Sequence, residues 1–386
     1  MKKLLFPIIL VFIFSSCAVF SPLQRGNLMA VYHLIEAKNY EEAKEVVEDM
    51  IKDDETSQWA RTWHARGVLY QTAYQEGIRQ NDKKKYELYP NQLYVAFSSY
   101  ETARRLDNGR RMNRQLAPRY AQLANEFQKK GERHFNNENY REAFRAFEQA
   151  IRINESQVLS LTPDNDLVYN TALAAYESNL KDKALEYLNQ LDTSNYAPNV
   201  SHLLFTIHIE NDDIEAAELA LMEGIGKYED NEVLVMLLVE LLYEKDNIDA
   251  AIAMLDNAAS QNPEESSFLY TKGLIYQKTE RYNKAIEAYK QAVKLAPDDL
   301  IIYLNLATCY YNLGVGIEEK AISLESNRRV MEQRTKSAAA FTSAGQWLDR
   351  AWDKSPSDPA QLLKMYQLYR ALGSNDKARA VQRRFN

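Results

Sequence analysis

From about residue 24 to the end of the chain, apolar residues return every three or four positions in short blocks. Each block is followed by a polar break and then by a second block of the same kind. That spacing places one greasy stripe on a helix; strand alternation is absent from these blocks. The blocks also repeat one another. Ala251 is matched by Ala285, Ala258 by Ala292, Leu255 by Tyr289 and Leu242 by Tyr276, all at an interval of 34 residues. A fixed period of this length, with small residues at set offsets, predicts stacked helix–turn–helix units. Each unit covers its apolar stripe only against its neighbours, so the expectation is an all-α chain with much surface.

The cleanest unit runs from Ser266 to Asp299. Leu269, Gly273 and Tyr276 lie on its first helix, Ala285, Tyr289 and Ala292 on its second, and Pro297 closes it. This order resembles the tetratricopeptide repeat, whose signature is a large, a small and an aromatic residue, then Ala, an aromatic, Ala and Pro. Lys272 departs from it, since the family prefers an aliphatic residue there. The resemblance implies a helical-hairpin solenoid coiled as a right-handed superhelix. Earlier units carry Val235, Leu238, Leu242, Ala251, Leu255 and Ala258; Leu204, Phe205, Ala217, Leu221 and Gly224; Ala172, Ala184, Leu188 and Leu191; and Phe127, Gly131, Ala143, Phe147 and Ala150. Weaker pairs at residues 27–50 and 362–378 cap the ends. About nine helical pairs are expected over residues 24–386, which leaves no room for a separate catalytic domain.

Two units are interrupted between their helices, near residues 78–94 and 314–338. Trp63 to Tyr70 is a strong first-helix match, with Arg66 in the aliphatic place, yet Ala96, Tyr100 and Ala103 arrive 17 residues later than the motif expects. Tyr303, Leu306, Ala307 and Tyr310 likewise wait for Ala344, Leu348 and Ala351. The inserted segments are polar and rich in helix formers, so both helices of each interrupted pair are expected to lengthen into a projecting hairpin, with Pro90 breaking the first insertion.

Residues 1–16 read as a signal: Lys2 and Lys3, then an apolar run of eleven residues from Leu4 to Phe14, too short for a span of roughly 18 or more. Phe14-Ser15-Ser16-Cys17 resembles the bacterial lipobox, with Phe14 in place of the preferred aliphatic residue. The resemblance implies that Cys17 becomes the acylated first residue, followed by a short tether over residues 17–23. Two or three acyl chains would hold the chain on a membrane, at about 0.8 kcal/mol per buried CH₂. Ala18 after the cysteine favours, by the sorting rule of two-membrane bacteria, the outer membrane facing the periplasm. Cys309 is then a lone thiol, read as a small buried hydrophobe.

The net charge is −7, with acids and bases interspersed and no Lys/Arg stripe, which argues against nucleic acid. His33, His64, His134, His202 and His208 include no pair at three- or four-residue spacing, so no metal site is expected. Gly224-Ile-Gly226 and Gly314-Val-Gly316 lack a phosphate loop's context and read as helix ends. With no nucleophile signature, an enzyme, a cofactor and a small-molecule substrate are not expected.

In this repeat the first helices form the concave binding face. The phase puts His202, Thr206, Met236, Glu240, Tyr243, Tyr270, Gln277, Leu304, Thr308 and Tyr311 there. Tyrosines and a methionine along a groove suit an extended or helical peptide segment, since they offer apolar area with a polar tip. They lack the Lys/Asn/Arg set that clamps a terminal carboxylate. The expected function is a membrane-anchored scaffold for other envelope proteins. The other reading, from a different class, is a glycan-capturing surface lipoprotein using Trp59, Trp63, Trp347 and Trp352.

Overall fold

A computed structural model describes residues 22–107, 110–192, 196–229 and 231–384. The signal at 1–16, Cys17 and most of the tether lie outside the described residues. Among those described, every regular element is helical. In chain order the α-helices are α1 (Pro22–Glu36), α2 (Tyr40–Lys52), α3 (Ala60–Gln80), α4 (Lys83–Tyr86), α5 (Gln92–Leu106), α6 (Arg110–Asn136), α7 (Tyr140–Asn154), α8 (Asn165–Glu177) and α9 (Lys181–Asp192). Then follow α10 (Pro198–Glu210), α11 (Ile214–Lys227), α12 (Glu232–Glu244), α13 (Ile248–Gln261), α14 (Ser266–Lys278), α15 (Tyr282–Leu295), α16 (Leu300–Ile322), α17 (Asn327–Asp353), α18 (Pro359–Ala371) and α19 (Asn375–Gln382). With α4 set aside as an inserted turn, these make the nine expected pairs.

The described residues divide into two compact units, up to Leu191 and from Asp192 onward, with four pairs in the first and five in the second. Most pairs turn in one way. Lys38, Glu138, Asn179, Asp212, Asp246, Glu280 and Gly373 take φ between 56° and 71° after a first helix. The next N–H then reaches back to a carbonyl in that helix's last turn, as Asn139 does to His134 and Arg281 to Tyr276. This satisfies carbonyls that the helix end would otherwise orphan.

Small residues sit where helices cross. A Cβ on Gly273 would lie 2.5 Å from Cε1 of Tyr289, and one on Gly131 equally close to Phe147. Tyr289 is fully buried and donates its hydroxyl to Gln277 at 2.9 Å, so it has no room to retreat. Gly273→Ala should therefore lower stability by about 1–3 kcal/mol. Gly345, inside α17 with nothing within 4 Å of its Cβ position, gives the contrast. Gly345→Ala should raise stability by about 0.5–1 kcal/mol, both changes being read by urea unfolding.

The two insertions fold differently. The second does what its helix formers predict: α16 and α17 extend together, joined by Ser337 donating to the Gly314 carbonyl (2.9 Å) and by an Arg334–Glu318 ion pair (3.3 Å). Gly314 and Gly316 lie inside α16 and are not helix ends; Gly314 is small because the Phe341 ring packs on it. Gly224 and Gly226 occupy the last turn of α11.

The first insertion lengthens only α3; α5 keeps ordinary length. Asn81 and Asn91 in the left-handed region, with Pro90 between them, stop helix growth. Residues 81–91 instead form a strap that folds back onto α3. Gln92 holds it, donating to the carbonyls of Tyr70 (2.8 Å) and Lys85 (3.0 Å). Gly77 admits it, because a Cβ there would meet the Tyr86 backbone nitrogen at 2.5 Å. Within the strap Leu88 is buried, and Tyr89 packs on Tyr70 with ring centres 5.1 Å apart.

Helix α16 is long and apolar enough to cross a membrane by length and composition. Part of it is buried: Ile302, Leu304, Leu306, Ala307 and Cys309 are core residues of the second unit.

Candidate functional site

In the second unit the first helices of the pairs are α10, α12, α14, α16 and α18. Of the ten residues assigned to their face, His202 and Glu240 are exposed, and Thr206, Met236, Tyr243, Tyr270, Gln277, Thr308 and Tyr311 are half-buried. Leu304 is a correction: at 2% exposure it belongs to the core with Leu362, Met365 and Tyr369, since α18 packs over that side of α16. Thr206 and Thr308 spend their hydroxyls on carbonyls one turn back in their own helices.

The remaining positions grade from engaged to available. Gln277 accepts from Tyr289 (2.9 Å) and from the Cys309 thiol (3.2 Å). Burial pushes that thiol up to about 12, so Cys309 is an inert core group. The Tyr270 hydroxyl accepts from Asn305 (3.4 Å), whose own oxygen accepts from Lys364 of α18 (2.8 Å). Tyr311 packs on Phe341. Tyr243, with Lys278 over its ring at 5.1 Å, and Met236 are half-buried, each with part of its apolar area packed against the core of the second unit.

The first unit holds a feature that repeat phase alone did not find. Helix α3, the strap and α6 enclose a cleft of about 740 Å³, lined among others by Tyr74, Ile78, Tyr86, Tyr89, Lys130 and Arg133. It adjoins a smaller hollow between α3 and α6 that includes Gln75, Glu126 and Lys129. Arg133 donates to the Tyr74 hydroxyl at 2.5 Å, and Lys130 stands 5.1 Å from the centre of the Tyr94 ring. Helix α6 makes this wall with its C-terminal part, and it starts more than four turns before its motif residue Gly131. Pro118 falls inside that extension on an exposed face.

Buried and half-buried polar groups also concentrate in the first unit. His64 meets the Tyr32 hydroxyl through Nδ1 at 2.8 Å, and burial holds its ring down to about 4. Glu126 accepts from Gln71 at 3.3 Å and from Gln75, yet burial raises its carboxyl to about 7. Arg66, the cation in the aliphatic place, is bonded to Glu48 (2.8 Å) and to Ser99 (2.9 Å) among the rings of Trp63, Tyr70 and Tyr89. Lys272 in the corresponding place is paired with Asp256. Among the described residues no three His, Cys, Asp or Glu side chains converge as a metal site would require.

Residues 129–198 match the tetratricopeptide repeat and residues 273–314 a TPR repeat. No curated protein matches the chain. Similar solved structures include a TPR repeats protein from Bacteroides fragilis NCTC 9343, 20% identical, covering 64% of this chain and 98% of that one at a TM-score of 0.35. A tetratricopeptide repeat protein from Parabacteroides merdae ATCC 43184 is 13% identical over 64% and 98%, at 0.39. The C-terminal part of a TPR repeat-containing protein from Cytophaga hutchinsonii is 16% identical over 65% and 97%, at 0.39. With paired helices and a recurring turn, the chain is all-helical among its described residues and matches tetratricopeptide repeats over residues 129–198 and 273–314.

Proposed function

We propose that this chain is a non-enzymatic adaptor of the bacterial cell envelope, anchored by lipid at Cys17 and binding segments of other envelope proteins. Tetratricopeptide repeats generally mediate contacts between proteins. The observation that carries the reading is the row of half-buried apolar and aromatic groups on the first helices of the second unit, centred on Met236 and Tyr243. Such groups supply contact area without a large ordering cost, as interface hot spots do. The lipobox-like Ser15-Ser16-Cys17 supports the anchor, and Ala18 supports the outer membrane facing the periplasm. The glycan reading is weaker, because three tryptophans are occupied internally. Trp63 donates to the Ser57 carbonyl, Trp347 packs on Tyr303 beneath Arg350, and Trp352 lies under Arg384.

Crosslinking in cells followed by affinity recovery tests the adaptor reading. Met236→Ser combined with Tyr243→Ser should cut partner recovery about tenfold or more, with helicity unchanged. Undiminished recovery would remove this face from the proposal. Cys17→Ser should move the chain from the membrane to the soluble fraction; a variant that stays membrane-bound would refute the lipid anchor.

A further inference from the structure

We propose that the cleft between α3, the strap and α6 is a docking site for an acidic segment of a partner protein. This rests on the adaptor reading and specifies the chemistry of one partner. The argument begins with a repeated residue. Three units place glycine at the helix crossing, Gly67, Gly131 and Gly273, and each has a cation immediately before it: Arg66, Lys130 and Lys272. Two of these cations are neutralised by a carboxylate on the preceding second helix, Arg66 by Glu48 of α2 and Lys272 by Asp256 of α13. Lys130 has no such partner, because the stretch before it, where the others find their acid, is the extension of α6. No carboxylate lies within ion-pair distance of its ammonium among the described residues.

Its surroundings do not make up the deficit. Lys130 is half-buried over the Tyr94 ring, and that burial depresses its basicity. Glu142 acts on it from a distance but is bonded to Arg145 at 2.8 Å. The Arg133 side chain, one turn along the same wall, donates to the neutral Tyr74 hydroxyl and makes no ion pair among the described residues. Of the nearby acids, Glu87 at the rim is paired with Lys83 at 3.5 Å, and half-buried Glu126 in the adjoining hollow accepts from Gln71 and holds its proton up to about 7. The cleft therefore carries two uncompensated cations against a wall of Tyr86, Tyr89, Ile78 and Pro90. A desolvated cation is costly unless an anion meets it. Carboxylates on a chain that also carries apolar side chains satisfy both walls at once. The volume lies within the usual range of binding pockets, about 300–1,000 Å³.

The test uses the full chain after its leader, with short fluorescent peptides that alternate Asp or Glu with Phe or Leu. These should bind, and the same peptides with Asn and Gln should not. Lys130→Met, which keeps the stem over Tyr94, and Arg133→Gln should each weaken binding about tenfold or more, the loss typical of one charge-assisted hydrogen bond. As a second readout, bound peptide should shield Lys130 from acetylation by a small reagent, seen by mass spectrometry. Equal binding by the folded variants, or no binding by the parent chain, overturns the proposal. So does shielding of Lys130 by inorganic phosphate or by phosphatidylglycerol vesicles where the peptide gives none. The Met236→Ser, Tyr243→Ser chain separates the two readings. If it loses partners while acidic peptides fail to bind, the adaptor stands and this site falls.

Discussion

Glu48→Ala should destabilise the first unit by about 3–5 kcal/mol, the cost of leaving a buried charge without its counter-ion. The Arg66 side chain is 9% exposed and that of Glu48 18%, so water cannot replace the missing carboxylate. The loss reaches further than one bond. Glu48 accepts from Arg66 and, at 2.5 Å, from the hydroxyl of fully buried Tyr70. Its removal leaves the guanidinium, still bonded to Ser99, without its counter-ion and the phenol without its acceptor, each costly in a dry environment. Arg66→Met on top of Glu48→Ala should recover part of the loss, since a methionine fills the space among Trp63, Tyr70 and Tyr89 without needing a counter-charge. Asp256→Ala, which breaks the corresponding pair in the second unit, should cost less than about 1 kcal/mol, because the Asp256 side chain is 52% exposed. Urea unfolding with amide exchange resolved by helix measures all three. A loss under about 1 kcal/mol for Glu48→Ala would contradict the burial argument.

The second large effect concerns pH, and it is hidden until one of two opposing groups is removed. His64 is neutral in the folded chain down to about 4, whereas an unfolded histidine takes its proton near 6.5. Its contribution is complete above about 6.5 and is lost as pH falls toward 4. Glu126 has the opposite sign. The folded carboxyl keeps its proton up to about 7 and the unfolded one releases it near 4.5, so its contribution is complete at low pH and disappears as pH rises through that window. Each swing amounts to about 3 kcal/mol at most. The two windows overlap between about 4.5 and 6.5, where the parent chain should show nearly flat stability. Glu126→Gln should expose the histidine alone, with stability falling by about 3 kcal/mol on acidification. His134, also held below its ordinary value by burial, adds in the same direction. His64→Gln should leave the carboxyl alone and reverse the slope. Urea midpoints across this range decide it; parallel profiles for parent and Glu126→Gln would remove Glu126 from the account.

The fold was legible because its determinants are local in the repeat. The close crossings at Gly131 and Gly273 demand a small residue at a fixed offset from an aromatic one, and that offset is visible as spacing. The second insertion was legible for the same reason: a long run of helix formers continues both helices. The first was not. Whether residues 81–91 lengthen a helix or fold back depends on Gln92 reaching the Tyr70 and Lys85 carbonyls and on Gly77 leaving room. Leu304 was placed on the binding face because its phase is right for that face; the packing of α18 makes it core. The charged cleft of the first unit had no sequence signal beyond a basic residue before each crossing glycine.

By itself, then, the sequence determined that the chain is all-helical, that it pairs its helices nine times, and where most pairs begin and end. Those features follow from helical periodicity and from the size limit at each crossing, both properties of neighbouring residues. Tertiary structure alone decided which of three equivalent cations is neutralised, which insertion extends both helices and which becomes a strap, and that Leu304 is core. These depend on partners supplied by other helices, and a charge or a ring acquires its energetic meaning only from how dry its site is and what faces it there.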